Sequence, residues 1–193
     1  MNAIDTERDT TCDTEREVVP ETRLPGDDIA RTARIGFAAF LAVYGLACMT
    51  SPETGRLLDN VDLAIHETGH LVFAPFGEFM GFLGGTLFQL ILPGAFVAYF
   101  HRRRERYATG VVLWWVAQNC WNISVYAADA RSRRLPLVGG GEHDWTYLLL
   151  RLGLLEHDWL VAKLFHFAGI VIFGAAMYVA FRHAGGMAAQ RAR

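Results

Sequence analysis

Residues 61–76 read VDLAIHETGHLVFAPF, an apolar segment interrupted by a cluster of ionisable side chains. Within it, His66, Glu67 and His70 form the pattern His-Glu-x-x-His. On a helix, residues at positions i and i+4 lie on one face, so the two imidazoles can share one Zn²⁺ ion while Glu67 reaches a metal-bound water. With the chain's numbers of His and Glu, roughly 0.01 such matches are expected by chance. The segment therefore predicts a zinc site on a helix, and the alternative is a pair of core or pore histidines.

Charge is unevenly distributed along the 193 residues, of which 52% are hydrophobic and 20% charged. Residues 1–30 hold nine acidic side chains and three arginines but almost no large apolar residues. Such a segment cannot bury enough surface to order itself, and it lacks the basic and apolar regions of a signal peptide. We expect a disordered acidic tail at 1–30, a membrane domain at 31–185 and a C-terminal tail at 186–193.

Long apolar segments indicate an all-α integral membrane protein, a polytopic bundle of about four to five transmembrane helices. Phe79 to Phe100 and Tyr107 to Ala128 carry no charged residue and are long enough to cross a bilayer. Trp159 to Phe181 has a similar length, and its Lys163 lies near one end, where it can reach the interface. Ile35 to Met49 is a short span or an interfacial helix, and Val61 to Phe76 is the fifth candidate.

The arginine clusters bear on the orientation of these spans. If Val61 to Phe76 crosses fully, Arg102 to Arg106 lie on the side opposite Arg31 and Arg34, against the positive-inside rule. If that segment is re-entrant, or if Ile35 to Met49 does not cross, both clusters share the cytoplasmic side. We expect an N-terminus in the cytoplasm, in an inner membrane of bacterial type.

Glycines follow the motif. Gly77, Gly81 and Gly85 recur every four residues and can let a neighbouring helix approach closely. A turn around Gly84 and Gly85 is the alternative.

A catalytic zinc requires a third protein ligand besides the two histidines. A polar stripe at helical spacing, Asn119, Asn122, Tyr126 and Asp129, lines one face of an otherwise apolar helix and ends in a carboxylate. The same residues fit a hydrogen-bonded seam between helices. The candidate third ligands are Asp129, His143, Asp144, His157, Asp158 and His166.

These residues resemble the site-2 protease class of intramembrane zinc metalloproteases. In that class a transmembrane His-Glu-x-x-His helix is completed by an Asp on a later helix, which follows an Asn in the same segment. His66, Glu67 and His70 match the first motif, and Asn122 with Asp129 resembles the second, although the Pro and the Asp-Gly pair of the family are missing. The resemblance covers residues 60–130 and implies Asp129 as a zinc ligand.

The loop from Arg131 to Asp158 is a rival source of ligands. It contains Gly139-Gly140-Gly141-Glu142-His143-Asp144, and adjacent His and Asp residues can serve as a ligand and its orienting partner. They can equally cap a short amphipathic helix from Trp145 to Leu155. His143 is therefore the second candidate for the metal shell.

The expected function is hydrolysis of a peptide bond in a membrane or membrane-adjacent protein. Glu67 is the expected general base, and Asn122 is placed to hydrogen-bond the scissile strand or the developing oxyanion. The expected partners are a membrane protein substrate and the lipid bilayer, with no nucleic acid. The alternatives are a membrane di-iron redox enzyme and a non-catalytic binding or regulatory protein with a structural metal.

Overall fold

A computed structural model describes residues 25–136 and 141–185 of the chain. These residues form helices and no strand, which agrees with the all-α prediction. The predicted tails at 1–24 and 186–193 lie outside the described residues. The α-helices are α1 (Pro25–Thr50), α2 (Leu57–Phe73), α3 (Glu78–Arg102), α4 (Arg106–Ala128), α5 (Asp144–Arg151) and α6 (Asp158–His183).

Three helical segments are long and apolar enough to cross a membrane: Gly26–Thr50, Glu78–Arg102 and Leu155–His183. The expected polytopic helical bundle is thus confirmed in part, and a count of four to five spans is not confirmed. The fourth predicted span forms α4, but its Gln118, Asn119 and Asn122 lower its hydropathy. Large apolar side chains on α1 and α6, such as Phe40 and Phe167, are exposed on the surface of the bundle, as a membrane protein requires.

Helix α1 is longer than its apolar core suggests. It contains 26 residues because it begins at Pro25, within the segment that was expected to be a disordered tail. Proline is favoured in the first turn of a helix, and Asp27 and Asp28 there interact favourably with the positive end of the helix dipole. The predicted short span is therefore the apolar part of a full-length helix.

Helix α4 is the centre of the bundle and packs against α1, α3 and α6. The indole of Trp114 donates to the carbonyl of Leu41 in α1 at 2.8 Å, and the indole of Trp121 donates to the carbonyl of His166 in α6 at 3.2 Å. A cluster of buried apolar side chains joins α3, α4, α5 and α6 around Ile123 and Leu148. The polar site described below lies beside this cluster.

The arginine clusters share one end of the bundle. The hydroxyl of Tyr107, at the start of α4, donates to the carbonyl of Arg34 at 2.8 Å, so α1 and α4 run in parallel. Helix α3 ends at Arg102, five residues before Tyr107, which brings Arg102 to this end as well. Helix α2 starts beside the C-terminal end of α1, where Arg56 binds the carbonyls of Ala47 and Ser51, and it leads into the N-terminal end of α3.

Two short turns set the position of α2. At its start, the carboxylate of Asp59 accepts a hydrogen bond from the backbone N–H of Arg56 at 2.7 Å, as in a capping box. At its end, a 3₁₀ turn at Ala74–Phe76 is followed by Gly77, whose φ of 102° is a conformation that L side chains rarely adopt. Helix α3 begins at the next residue, so α2 and α3 form a tight antiparallel pair.

Glycines allow this pair to approach closely. A Cβ atom added to Gly84 would lie 2.6 Å from the carbonyl oxygen of Gly69, and one added to Gly85 would lie 2.5 Å from Nε2 of His66. Real Cβ atoms do not make such contacts, so both positions need glycine. Of the three glycines predicted to allow a close approach, Gly85 lies at the contact, whereas a Cβ at Gly81 would meet Ala74 at 3.7 Å and one at Gly77 would meet nothing within 4 Å. No turn interrupts α3 at Gly84 and Gly85.

This contact gives a test of the fold. Replacing Gly84 with Ala forces α2 and α3 apart and should lower stability by about 1–3 kcal/mol. Gly94→Ala is the matched control, because a Cβ there meets nothing within 4 Å in the same helix. Thermal unfolding of the two variants in detergent measures the difference. Equal melting temperatures would contradict the close packing of α2 on α3.

Candidate metal centre

His66 and His70 lie on one face of α2 and point to the same carboxylate. Nε2 of His66 is 2.8 Å from Oδ2 of Asp144, and Nε2 of His70 is 3.3 Å from the same oxygen. One ligand atom from each of the three residues lies within 4.8 Å of the others. These separations are close to the roughly 3.3–3.5 Å between neighbouring ligands of a tetrahedral zinc ion with bonds of 2.0–2.1 Å. The group can hold a metal ion.

The hydrogen bonds of the other ring nitrogen fix the tautomer of each histidine. Nδ1 of His70 is 2.8 Å from the backbone carbonyl oxygen of Gly81, which can only accept, so Nδ1 carries the hydrogen. Nε2 then carries a lone pair when the imidazole is neutral. This is the arrangement that metal-binding histidines use, because the outer hydrogen bond orients the ring towards the ion.

The tautomer of His66 follows from a longer chain of hydrogen bonds. The amide of Asn119 donates to the backbone carbonyl of Trp115 at 3.1 Å, so its Oδ1 is free to accept from Nε2 of Gln89 at 3.2 Å. Oε1 of Gln89 consequently faces His66, whose Nδ1 must donate to it at 2.8 Å. Both neutral imidazoles therefore present lone pairs to Asp144.

Three acceptors meeting at one buried point require a positive charge between them. Two protons or one metal ion can supply it, and the Nδ1 contacts are compatible with both, because Nδ1 donates in the neutral and in the protonated ring. The donor set of two imidazoles and one carboxylate is one that zinc accepts. The residues present thus fit a metal ion.

The carboxylate of Asp144 is held in its charged form. Burial alone would raise its pKa, but hydrogen bonds donated by the protonated rings of His66 and His70 outweigh that effect and lower the pKa to about 2. A metal ion in place of those protons would supply the same positive charge. A carboxylate must be ionised to bind a cation. Asp144 therefore remains available as a ligand throughout the neutral range.

An open space adjoins the three ligands. A cavity of about 490 Å³ is bounded by Glu67, His70, Tyr126 and Asp144 and opens to the surface. A second cavity of about 300 Å³ lies on the other side of Glu67 and Tyr126, next to His66 and Asn122 among others. Both Glu67 and Tyr126 line the two cavities, so a molecule in either one can reach the candidate metal position.

Glu67 and Tyr126 are differently constrained. The side chain of Glu67 is half-buried and makes no hydrogen bond to the described residues. The hydroxyl of Tyr126 donates to Oδ2 of Asp144 at 3.2 Å, and its ring edge lies against His66 with 5.7 Å between ring centroids. The side chain of Glu67 is thus not held by a hydrogen bond to the described residues, whereas Tyr126 is oriented by Asp144.

Asp129, the predicted ligand at the end of α4, does not join this group. Its two carboxylate oxygens accept from the backbone N–H groups of Arg134 and Leu135, each at 2.9 Å, and from the hydroxyl of Ser132. Burial raises its pKa, but these hydrogen bonds outweigh it and keep the pKa below the usual value. Asp129 closes the turn after α4, and this use of both oxygens is the physical reason that the structure differs from the expectation.

His143, the rival ligand, caps α5. Its Nδ1 accepts from the backbone N–H of Thr146 at 3.3 Å, and its Nε2 faces Asp129 at 3.5 Å. Burial lowers the pKa of His143, which favours the neutral ring. Because the capping side chain folds back over the helix start, the next residue, Asp144, is the one that points to α2. The loop thus supplies a ligand-like group one position later than expected.

The other predicted residues lie away from the ligands or behind them. Asn122 accepts from Gln89 at 3.0 Å, so it supports the amide that orients His66. Asp158 forms an ion pair with Arg131 at 2.8 Å, while His157 is exposed and the carbonyl of His166 binds Trp121. Gln89 was not among the predicted site residues, and its only signal was a single amide in an apolar span.

Comparison of the chain with protein-family models, with curated proteins and with solved structures finds no match. Its function is therefore argued from the site alone.

Metal binding by Asp144→Asn and Asp129→Asn distinguishes the two aspartates. Loss of a ligand should weaken zinc affinity by about 100-fold or more, whereas Asp129→Asn should bind one ion per chain as the wild type does. Competition with a chromogenic chelator in detergent measures both affinities, and a His66→Ala, His70→Ala double variant serves as the negative control. If Asp129→Asn loses the metal and Asp144→Asn keeps it, the assignment of Asp144 is wrong.

Proposed function

We propose that the protein is a membrane zinc metallopeptidase that hydrolyses a peptide bond of a membrane or membrane-adjacent protein. The observation that carries this proposal is the convergence of His66, His70 and Asp144 on one point, with the carboxylate of Glu67 on the wall of the adjoining cavity. The motif His-Glu-x-x-His of α2 gives these residues the roles of ligand, base and ligand.

The three side chains leave room for a fourth ligand. Zinc held by His66, His70 and Asp144 would supply a Lewis acid that activates water for attack. Glu67 would accept the proton of the attacking water as the water oxygen bonds to the scissile carbonyl carbon, and would pass that proton to the leaving amine as the C–N bond breaks. The hydroxyl of Tyr126 would transfer its hydrogen bond from Asp144 to the developing oxyanion. Asn122 acts through Gln89, as a positioning residue.

The open cavity favours catalysis over a purely structural metal. Structural zinc sites are usually closed by four protein ligands, whereas catalytic sites have three and an open position. Among residues 25–136 and 141–185, the group formed by His66, His70 and Asp144 is the only metal-ligand cluster of three or more His, Cys, Asp or Glu side chains. A di-iron centre needs more ligands than this group provides.

The membrane setting is part of the proposal. We infer that α4 crosses the bilayer with the three apolar helices, since it lies at their centre, and that α2 is re-entrant. Arg34, Arg102 and Arg106 then face the cytoplasm together, as the positive-inside rule favours. The metal centre lies towards the other end of the bundle, beside the start of α5. Substrates would then reach it from the side opposite the cytoplasm.

Glu67→Gln tests the catalytic role. The amide cannot accept a proton from water, so hydrolysis should fall by about 10²–10⁴-fold while zinc content and melting temperature stay close to the wild-type values. The assay is cleavage of membrane proteins in proteoliposomes of wild type and variant, analysed by mass spectrometry. Glu156→Gln is the control, because this carboxylate is exposed at the same end of the bundle.

Two results would count against the proposal. Undiminished cleavage by Glu67→Gln would remove the residue from the mechanism. Zinc bound by a wild-type protein that cleaves nothing, with Glu67→Gln leaving every cellular phenotype unchanged, would indicate a structural metal in a binding protein. Iron with visible absorbance in the purified protein would favour the redox alternative.

A further inference from the structure

Asp62 is a buried carboxylate outside the metal centre. It lies on α2 one helical turn before His66, and its residue has no solvent-exposed surface. The proposed peptidase mechanism does not use it. A carboxylate at this depth needs hydrogen bonds and a compensating charge, because burying an unpaired ion is costly.

One oxygen of Asp62 has a partner and the other has none. Oδ1 accepts from the indole N–H of Trp115 in α4 at 2.9 Å. Oδ2 is fully buried and has no hydrogen-bond partner among the described residues. The amide of Gln118, which also acts on this carboxyl group, donates one of its two hydrogens to Asp59 at 2.9 Å, and its own Oε1 is buried without a donor. Two acceptors in this part of the α2 and α4 interface thus lack a hydrogen.

The groups around Asp62 do not offset the negative charge of its carboxylate. Asp59 on the same helix carries the same sign, and the side chains that α4 presents, Trp115, Gln118 and Asn119, are uncharged. From α1, Tyr44 and Cys48 lie within electrostatic range and carry no positive charge.

The positive side chain just before α2, Arg56, has other partners. Its guanidinium binds the backbone carbonyls of Ala47, Thr54 and Ser51 at 2.7–2.9 Å. No ion pair joins Asp62 to any Lys, Arg or His of the described chain.

We propose that Asp62 is a proton-binding site, with its carboxyl group protonated on Oδ2 in the native protein. The O–H supplies a donor where both Oδ2 and Oε1 of Gln118 lack one, and it removes the uncompensated charge from the interface. Oδ1 keeps its bond to Trp115. The proposal is independent of the metal and of hydrolysis, since it concerns only the contact between α2 and α4.

A proton held in this way links the position of α2 to pH. The fold favours the neutral acid, whereas the unfolded chain ionises at the ordinary value for Asp. The resulting stability is fully present below that ordinary value and is lost as the pH rises through the value in the folded protein. Release of the proton places two negative charges, Asp59 and Asp62, three residues apart on the helix that carries His66, Glu67 and His70.

The test compares carboxylate-to-amide variants of the full-length protein in detergent. Asp62→Asn supplies a neutral side chain with its own donor, so it should melt a few degrees higher than the wild type at about pH 8.5 and not at about pH 5. Asp158→Asn is the contrasting control, because Asp158 is a buried carboxylate paired with Arg131 and its loss should destabilise the protein at neutral pH. Each melt is run with zinc and with chelator, to separate the metal centre from Asp62.

Infrared spectroscopy of the wild type gives a second readout that needs no folded variant. A protonated carboxylic acid shows a carbonyl stretching band, which should shift on ¹³C labelling of aspartate and disappear at high pH. If no such band exists, or if Asp62→Asn destabilises the protein at every pH as Asp158→Asn does, Asp62 is ionised and the proposal is wrong. Stabilisation of the wild type by sodium or calcium that Asp62→Asn abolishes would likewise overturn it, in favour of a bound metal cation.

Discussion

The close contact of α2 with α3 is the constraint on which the metal centre depends. Gly69 and Gly84 bring the two backbones together, and the missing side chain of Gly85 leaves the space that the ring of His66 occupies. The same approach brings the carbonyl of Gly81 to His70. Helix packing at small residues, which inside a membrane must work without a hydrophobic driving force between helices, therefore also sets the orientation of both imidazoles.

Four helices contribute to this one site, and each contributes a different kind of group. Helix α2 provides the imidazoles and Glu67, α5 provides Asp144, α3 provides Gln89, and α4 provides the amides and Tyr126 that hold them. The tautomer of His66 is decided by the carbonyl of Trp115, which lies three hydrogen bonds away through Asn119 and Gln89. The polar stripe of α4 is thus both a seam between helices and the support of the metal centre, two roles that the sequence left as alternatives.

The sequence was sufficient for the parts of the site that depend on one helix. The spacing of His66, Glu67 and His70 is a local property, and the helical face it predicted is the one that meets Asp144. The third ligand depends on how distant segments meet, and there the polar stripe of α4 wrongly indicated Asp129. Asp129 lies at a helix end where free backbone N–H groups need acceptors, and His143 lies at a helix start with the same need. Side chains that satisfy those groups are not free to bind a metal, and neither composition nor spacing distinguishes them from Asp144.

Only three of the predicted spans meet the criterion of length and hydropathy, for a related reason. Hydropathy treats every polar residue as a cost, yet Gln118, Asn119 and Asn122 on α4 are bonded to α2 and α3 and do not face lipid. A central helix of a bundle can therefore be polar while still lying within the membrane, because its neighbours satisfy it. The same reasoning explains why α2 can hold two histidines and three carboxylates in an apolar setting: His66, His70 and Asp59 have hydrogen-bond partners, and Glu67 lines an open cavity. Asp62 is the exception, because its buried Oδ2 lacks a hydrogen-bond partner among the described residues and needs one more hydrogen.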